Sequence, residues 1–156
     1  MQRPDESAID QQPLVLDRKS RALLRRLDPW EVRGAYEWAR RMKTLPELAQ
    51  VSEEQIIALA PLASEVREST PCSLGTALRR GSKAGASARP VSEARVRRLL
   101  ASEREDIVEQ LAKVVRLVGR SVNMADLIAT AVFWGEHRKR RVAREYFGDT
   151  SDDQQG

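Results

Sequence analysis

The sequence predicts an all-α fold, a single-domain helical bundle of about six to eight helices, and three observations lead there. Aromatic residues make up only 4% of the chain. Leu, Ala, Arg and Glu dominate instead, a mixture that favours helix over sheet. Apolar residues recur at three- and four-residue spacing through most of the chain, with capping residues ahead of several of the stripes. At 156 residues the chain can bury one core without cross-links. Cys72 is the only cysteine, so an intramolecular disulfide and a thiolate metal cage are both excluded.

Residues 1–13 are polar, hold two prolines and show no periodicity, so they read as a disordered tail. The first helix is expected from Val15 or Asp17 to Leu27, with Leu23, Leu24 and Leu27 inward and Arg18, Arg21, Arg25 and Arg26 outward. Asp28 has the place of an N-cap ahead of Pro29 and Glu31, which opens a second helix running to about Met42. Thr44 with Glu47, and Ser52 with Gln55, have capping-box spacing. The next apolar face is Ile56, Ile57, Leu59, Ala60 and Ala63, and Pro61 within it predicts a kink or a break. Thr70-Pro71 is a stop. Leu74 to Arg80 is a short amphipathic helix weakened by Gly75.

Residues 81–90 combine small residues, two glycines and two cations without an acid, the composition of a flexible basic loop. Ser92 can cap a helix to about Ala101, Ser102 with Glu105 another to about Gly119, and Asn123 with Asp126 a last one to Phe147. Core positions on these helices are Val96, Leu99 and Leu100, then Ile107, Val108, Leu111, Val114, Val115 and Val118. The last helix carries the stripe Met124, Leu127, Ile128, Ala131, Trp134, Val142 and Tyr146. Opposite it lie His137, Arg140, Arg141 and Arg144, flanked by Arg138 and Lys139. Gly135 inside this helix suggests close approach of a neighbour. Residues 148–156 form a short acidic, disordered tail, which leaves 14–147 as the domain.

Charge points to function. The formal net charge is +4, but residues 1–13 contribute −2 and residues 148–156 contribute −3, so the body from 14 to 147 carries +9. Between Arg79 and Arg104 eight cations face two acids, and Arg138 to Arg144 holds five cations and no acid. An ordinary solvated helix interleaves acids at i+4, so an uninterrupted run on a helix fixed to a core suits a phosphate backbone. No run of about 18 apolar residues is present to span a bilayer, and the N-terminus has no signal-peptide apolar region, so a cytoplasmic protein with no membrane partner is expected.

Catalytic patterns are missing. The chain has no phosphate-loop motif, no His-Glu-x-x-His, no Gly-x-Ser-x-Gly and no paired Asp motif for two metals, so neither an enzyme nor a metal or other cofactor is expected. Trp30, Trp38 and Trp134 could stack bases, but anchoring a core short of large apolar residues is the simpler use. A helix-turn-helix from Ser92 to Gly119 would have a second helix of mixed charge, a poor recognition helix.

The second half of the chain resembles the CasB family, the small helical subunit of the type I-E CRISPR Cascade surveillance complex. The likeness rests on Ser73-Leu74-Gly75-Thr76-Ala77-Leu78, on Arg95-Val96-Arg97-Arg98-Leu99-Leu100-Ala101-Ser102, on Phe133-Trp134-Gly135 and on Arg144-Glu145-Tyr146-Phe147. Arg25-Arg26-Leu27 after Asp17-Arg18 is similar to the family's Arg-rich N-terminal helix. The resemblance implies a non-catalytic protein that packs as a pair inside Cascade, beside the backbone subunits that hold the guide RNA and beside the large subunit. There it would stabilise target DNA binding and the R-loop, touching single-stranded or R-loop DNA.

Candidate phosphate contacts follow from both lines. Arg140, Arg141 and Arg144 come from helical geometry, while Arg25, Arg26, Arg79, Arg80, Lys83, Arg95 and Arg98 combine charge with position in the resemblance. Two rival readings remain: a free-standing helical DNA-binding regulator, which would prefer a palindromic site, and a metal-dependent nuclease.

Overall fold

Asp17 opens the first helix by accepting a hydrogen bond from the Ser20 amide at 2.6 Å, and this holds the carboxyl below its usual range. The computed structural model describes residues 14–81 and 89–148. The expected tails, Gly148 apart, and most of the basic loop, Lys83 included, lie outside the described residues. Helix α1 runs Arg18–Leu24 and ends earlier than expected, with Arg25 as its C-cap. Its inward face is therefore only Ser20 and Leu24. Leu14 and Leu16 fill the core beside it, and Leu23 and Leu27 stay exposed rather than turning inward.

Asp28 caps a single 3₁₀ turn, Pro29–Glu31, accepting from the Trp30 amide at 3.1 Å. Val32 is extended and buried, so the expected helix from Pro29 is split and α2 runs Arg33–Met42. Ala35, Trp38, Ala39 and Met42 form its buried stripe. Thr44 and Glu47 make no capping box: Thr44 Oγ1 donates back to the Arg41 carbonyl at 2.6 Å, and Pro46 starts a 3₁₀ turn, Pro46–Leu48. The box at Ser52 and Gln55 is formed in both directions and starts α3, Glu53–Ile57. Pro61 breaks that stripe as expected. It sits in the first turn of α4, Ala60–Ala63, where its missing N–H leaves no helical hydrogen bond unmade.

The chain then makes a strand the sequence did not suggest. β1, Glu68–Ser69, pairs in parallel with β2, Ser121–Val122, in the register Glu68 with Ser121 and Ser69 with Val122. Helix α5 is Leu74–Arg80 and α6 is Glu93–Leu100, capped by Ser92 onto the Arg95 amide at 3.3 Å. Ser102 is not the cap of the next helix. Its hydroxyl donates to the Arg98 carbonyl at 3.0 Å and its own carbonyl accepts from Trp134 Nε1 at 2.9 Å, so α7 begins only at Ile107 and runs to Leu117. Asn123 accepts from the Asp126 amide at 3.0 Å and starts α8, Met124–Val132.

The long last helix read from the sequence is two helices. Phe133 to Gly135 separate α8 from α9, Glu136–Phe147, with Gly135 in an extended conformation. Among the described residues no neighbour crowds Gly135, where an added Cβ would meet only the Phe133 carbonyl, at 3.9 Å. Close approach occurs at Gly75 instead, where a Cβ would lie 2.8 Å from the Val142 carbonyl oxygen on α9. The most extensive helix contact is accordingly α5 against α9. The core is continuous, from Trp38 and Met42 through Ile56, Ile57 and Leu111 to Leu127 and Trp134, while Trp30 stays exposed. The all-α class thus holds, with the helix count raised to nine among the described residues by these breaks.

Candidate nucleic-acid interface

Helix α9 is held to the body along its length. Val142 is buried, and Arg138 is also buried, its Nη2 ion-paired to Glu47 Oε1 at 2.5 Å. Lys139 lies over the Trp134 ring at 5.7 Å. Arg141 bridges to Asp126 on α8 at 3.5 Å and to Glu145 at 3.4 Å. Asp126 also accepts the Leu74 amide at 2.7 Å, so this one carboxylate ties the start of α5 to α8 and α9. At the far end the Tyr146 hydroxyl donates to the Val91 carbonyl. Burial, with Glu93 beside it, raises the Tyr146 phenol pKa above its ordinary value, so the hydroxyl stays a donor.

This bracing sorts the five cations of the run. Arg138, Lys139 and Arg141 are engaged with the protein, whereas Arg140 and Arg144 are exposed and, among the described residues, pair with no carboxylate. On α6, Arg95 and Arg98 are likewise exposed, with no ion pair among the described residues. Arg97 between them is bound to Glu93 at 2.6 Å and stacks over Phe147 at 5.7 Å from the ring centroid. That stack sets the last turn of α9 against α6, so Arg144 and the α6 cations lie on adjoining elements. Arg80 is exposed, with Nη1 3.3 Å from Cys72 Sγ, and Arg79 is half-buried. Arg25 and Arg26 are exposed at the end of α1, on another part of the body, where α1 packs on α2 and α4.

A second basic feature escaped the sequence reading. Arg18, Arg21, Arg25 and Arg67, with Ala22, line a depression of about 480 Å³. Arg67 lies three residues before Thr70-Pro71, between Glu65 and Glu68, and so reads in sequence as part of a balanced stretch. The fold draws one of those two acids away. Glu65 accepts from Arg116 Nε at 3.1 Å, Arg116 Nη2 at 2.7 Å and Arg120 Nη1 at 2.5 Å. The hydrogen bonds from Arg116, helped by Arg120 and opposed by burial, hold its carboxyl below the usual range. Arg120 itself has φ 61°, and its carbonyl accepts the Arg67 amide at 2.9 Å, which fixes Arg67 at the rim. Nothing local in the sequence could have signalled that Glu65 would be drawn to residues 51 and 55 positions away.

The chemistry on offer is electrostatic. Among the described residues no group of three His, Cys, Asp or Glu side chains could hold a metal ion, and no helix is long and apolar enough to cross a membrane. The exposed guanidinium groups are donors without acceptors, suited to phosphate oxygens. The second helix of the would-be helix-turn-helix, α7, spends its exposed charges internally: Lys113 pairs with Glu109 at 3.6 Å and Arg116 with Glu65.

Comparison with curated proteins and with solved structures finds no match. A protein-family model does match: that of CRISPR-associated protein Cse2, over residues 20–147. The match begins within α1 and runs to the end of α9, and it includes the segments 73–78, 95–102, 133–135 and 144–147 that carry the resemblance. The chain therefore belongs to the Cse2 family, the CasB proteins that serve as a non-catalytic structural subunit of the type I-E CRISPR Cascade complex.

Proposed function

We propose that this chain acts within Cascade by binding nucleic-acid backbone through its exposed arginines, and so stabilises target DNA binding and the R-loop. The observation that carries the reading is the sorting of cations on α9 and α6. Among the described residues Arg140, Arg144, Arg95 and Arg98 have no ion pair, on helices that are otherwise cross-braced. Arg79 and Arg80 extend the same proposed surface, Arg25 and Arg26 are proposed as backbone contacts on a separate part of the body, Lys83 is proposed as a further contact, and Arg141 serves mainly by bracing α9. Guide RNA and the displaced or paired DNA strands are the polyanions on offer in such a complex, and self-association as a pair would lengthen the track. Opening a duplex against a guide is close to balanced in RNA-guided effectors, so modest backbone contacts can tip it. No base reading is needed for that.

Reconstitution tests this. Cascade assembled from guide RNA and the other subunits, with and without this chain, is titrated with target duplex, and strand opening is followed by the reactivity of unpaired thymines. Omission of the chain is expected to weaken binding and opening. Adding back Arg95→Glu/Arg98→Glu should restore assembly and leave opening impaired. Equal opening without the chain would overturn the proposal. A tenfold preference of the isolated chain for one palindromic sequence would favour the regulator reading instead.

A further inference from the structure

We propose that the depression between α1 and the segment before β1 is a discrete phosphate-binding site, taking one phosphodiester of a nucleic-acid strand with Arg67 and Arg21 as its principal donors. The inference rests on the backbone-binding function proposed above and locates a contact that neither the α9 run nor the 79–104 run contains.

The lining decides the ligand class. Among the described residues four of the five that line it are arginines, drawn from two segments more than forty positions apart in the chain, and the fifth is Ala22. Among the described residues no aromatic ring, hydroxyl or carboxylate lines it, so they offer nothing to stack on a base, read a base edge or hold a divalent cation. A guanidinium supplies five donors and no acceptor, which matches the oxygens of a phosphate.

Of the neighbouring acids two are engaged elsewhere, and Glu68, exposed beside Arg67 in the chain, forms no ion pair among the described residues. Asp17 accepts from the Ser20 amide as the cap of α1, and Glu65 has both oxygens on Arg116 and Arg120. Among the described residues no carboxylate pairs with Arg18, Arg25 or Arg67. The fold thus gathers like charges that repel one another. Burial lowers the Arg21 pKa, and Arg67, Arg25 and Arg18 lower it further, with only Asp17 opposing them. Arg21 is nonetheless held in place, its Nη1 donating to the Leu16 carbonyl at 2.8 Å, which leaves the other N–H groups of its fork for a ligand. A cluster whose own energetics oppose folding is explained if an oxyanion offsets the repulsion when bound.

The experiment uses the full chain and two probes, inorganic phosphate and a single-stranded oligonucleotide of arbitrary sequence. Arg67→Gln is the principal variant, because its exposed side chain makes no ion pair among the described residues; Arg18→Gln is the second, and Arg140→Gln/Arg144→Gln is the control. In phosphate-free, low-salt buffer, Arg67→Gln should melt at the wild-type temperature or above it, since one repulsive charge is gone. Phosphate should raise the melting temperature of wild type and of the control, and raise that of Arg67→Gln and Arg18→Gln much less. Oligonucleotide affinity of Arg67→Gln should fall about fivefold, with the slope of log affinity on log salt reduced by about 0.7, the value for one single-strand phosphate contact. An Arg67→Gln protein that melts lower without phosphate has lost a structural residue, and the site is overturned. An unchanged oligonucleotide affinity in both groove variants, with wild type and the α9 control behaving as expected, overturns the site and leaves the broader function standing. A phosphate response confined to the groove in a wild-type chain that binds no oligonucleotide overturns the assignment to a nucleic-acid strand together with that function.

Discussion

Gly75→Ala sets helix propensity against packing, and the structure says which wins. Alanine favours a helix by about 1 kcal/mol over glycine, so on local grounds the substitution should stabilise α5. The added Cβ, however, would stand 2.5 Å from Glu145 Cβ and 2.8 Å from the Val142 carbonyl oxygen. The Glu145 carboxylate end could swing away, but its Cβ and the Val142 carbonyl are fixed by the backbone of α9 and cannot. α5 must retreat by a few tenths of an ångström or more, an overpacking cost of about 1–3 kcal/mol. The retreat also stretches the Leu74–Asp126 bond, which ties the start of α5 to α8 and is worth about 1 kcal/mol. The net expectation is a loss of about 1–3 kcal/mol, or roughly 3–10 °C in Tm for a domain of this size. Thermal unfolding by circular dichroism measures it, with Gly135→Ala as the control. There the nearest atom is 3.9 Å away, and the change should stay within about 0.5 kcal/mol. A Gly75→Ala chain that melts at or above wild type would refute the close α5–α9 contact.

Two further outcomes follow from the packing and the charges. Trp134→Ala empties a buried site and strands the Ser102 carbonyl, so it should cost about 3–5 kcal/mol and reduce binding only through loss of fold; urea unfolding gives the number, and a cost below 1 kcal/mol would contradict its anchoring role. Glu65 has a folded pKa below its ordinary 4.5, so its contribution is present above that value and is lost as pH falls through the lower folded pKa. Glu65→Gln should therefore be less stable than wild type near neutrality, with the gap closing in acid; parallel stability curves down to the lowest measurable pH would show that the Arg116–Arg120 hub contributes nothing.

Much of the fold was legible where a signal was local. Ser52 with Gln55, Ser92, Asn123, Pro61 and the bounds of α5 all act within one or two turns, and each does what its spacing implies. Misreadings arose where a distant partner outbid a local one. Ser102 has the spacing of a cap, yet its carbonyl takes the Trp134 indole from 32 positions away and its hydroxyl turns back to Arg98. Glu47 looked like half of a capping box and pairs with Arg138 instead. The apolar stripe continued from α8 into α9 because both helices face one core, and this hid the break at Phe133–Gly135. The basic character of the surface was readable from composition. Which guanidinium groups remain unpaired was not, because Arg140, Arg141 and Arg144 look alike in sequence while only Arg141 meets Asp126.

Oligonucleotide binding at one salt concentration, measured beside thermal melting, tests most directly which arginines of α9 bind and which brace. Three proteins suffice: wild type, Arg140→Glu/Arg144→Glu and Arg141→Gln. The double reversal touches no ion pair among the described residues, so it should melt within a few degrees of wild type and bind at least tenfold more weakly. Arg141→Gln should melt lower, because it releases Asp126 and Glu145, and should retain most of the affinity while folded. A double reversal that binds as tightly as wild type, or an Arg141→Gln protein that keeps its melting temperature and loses binding, would contradict the assignment of α9's exposed arginines to the nucleic acid and of its braced arginine to the fold.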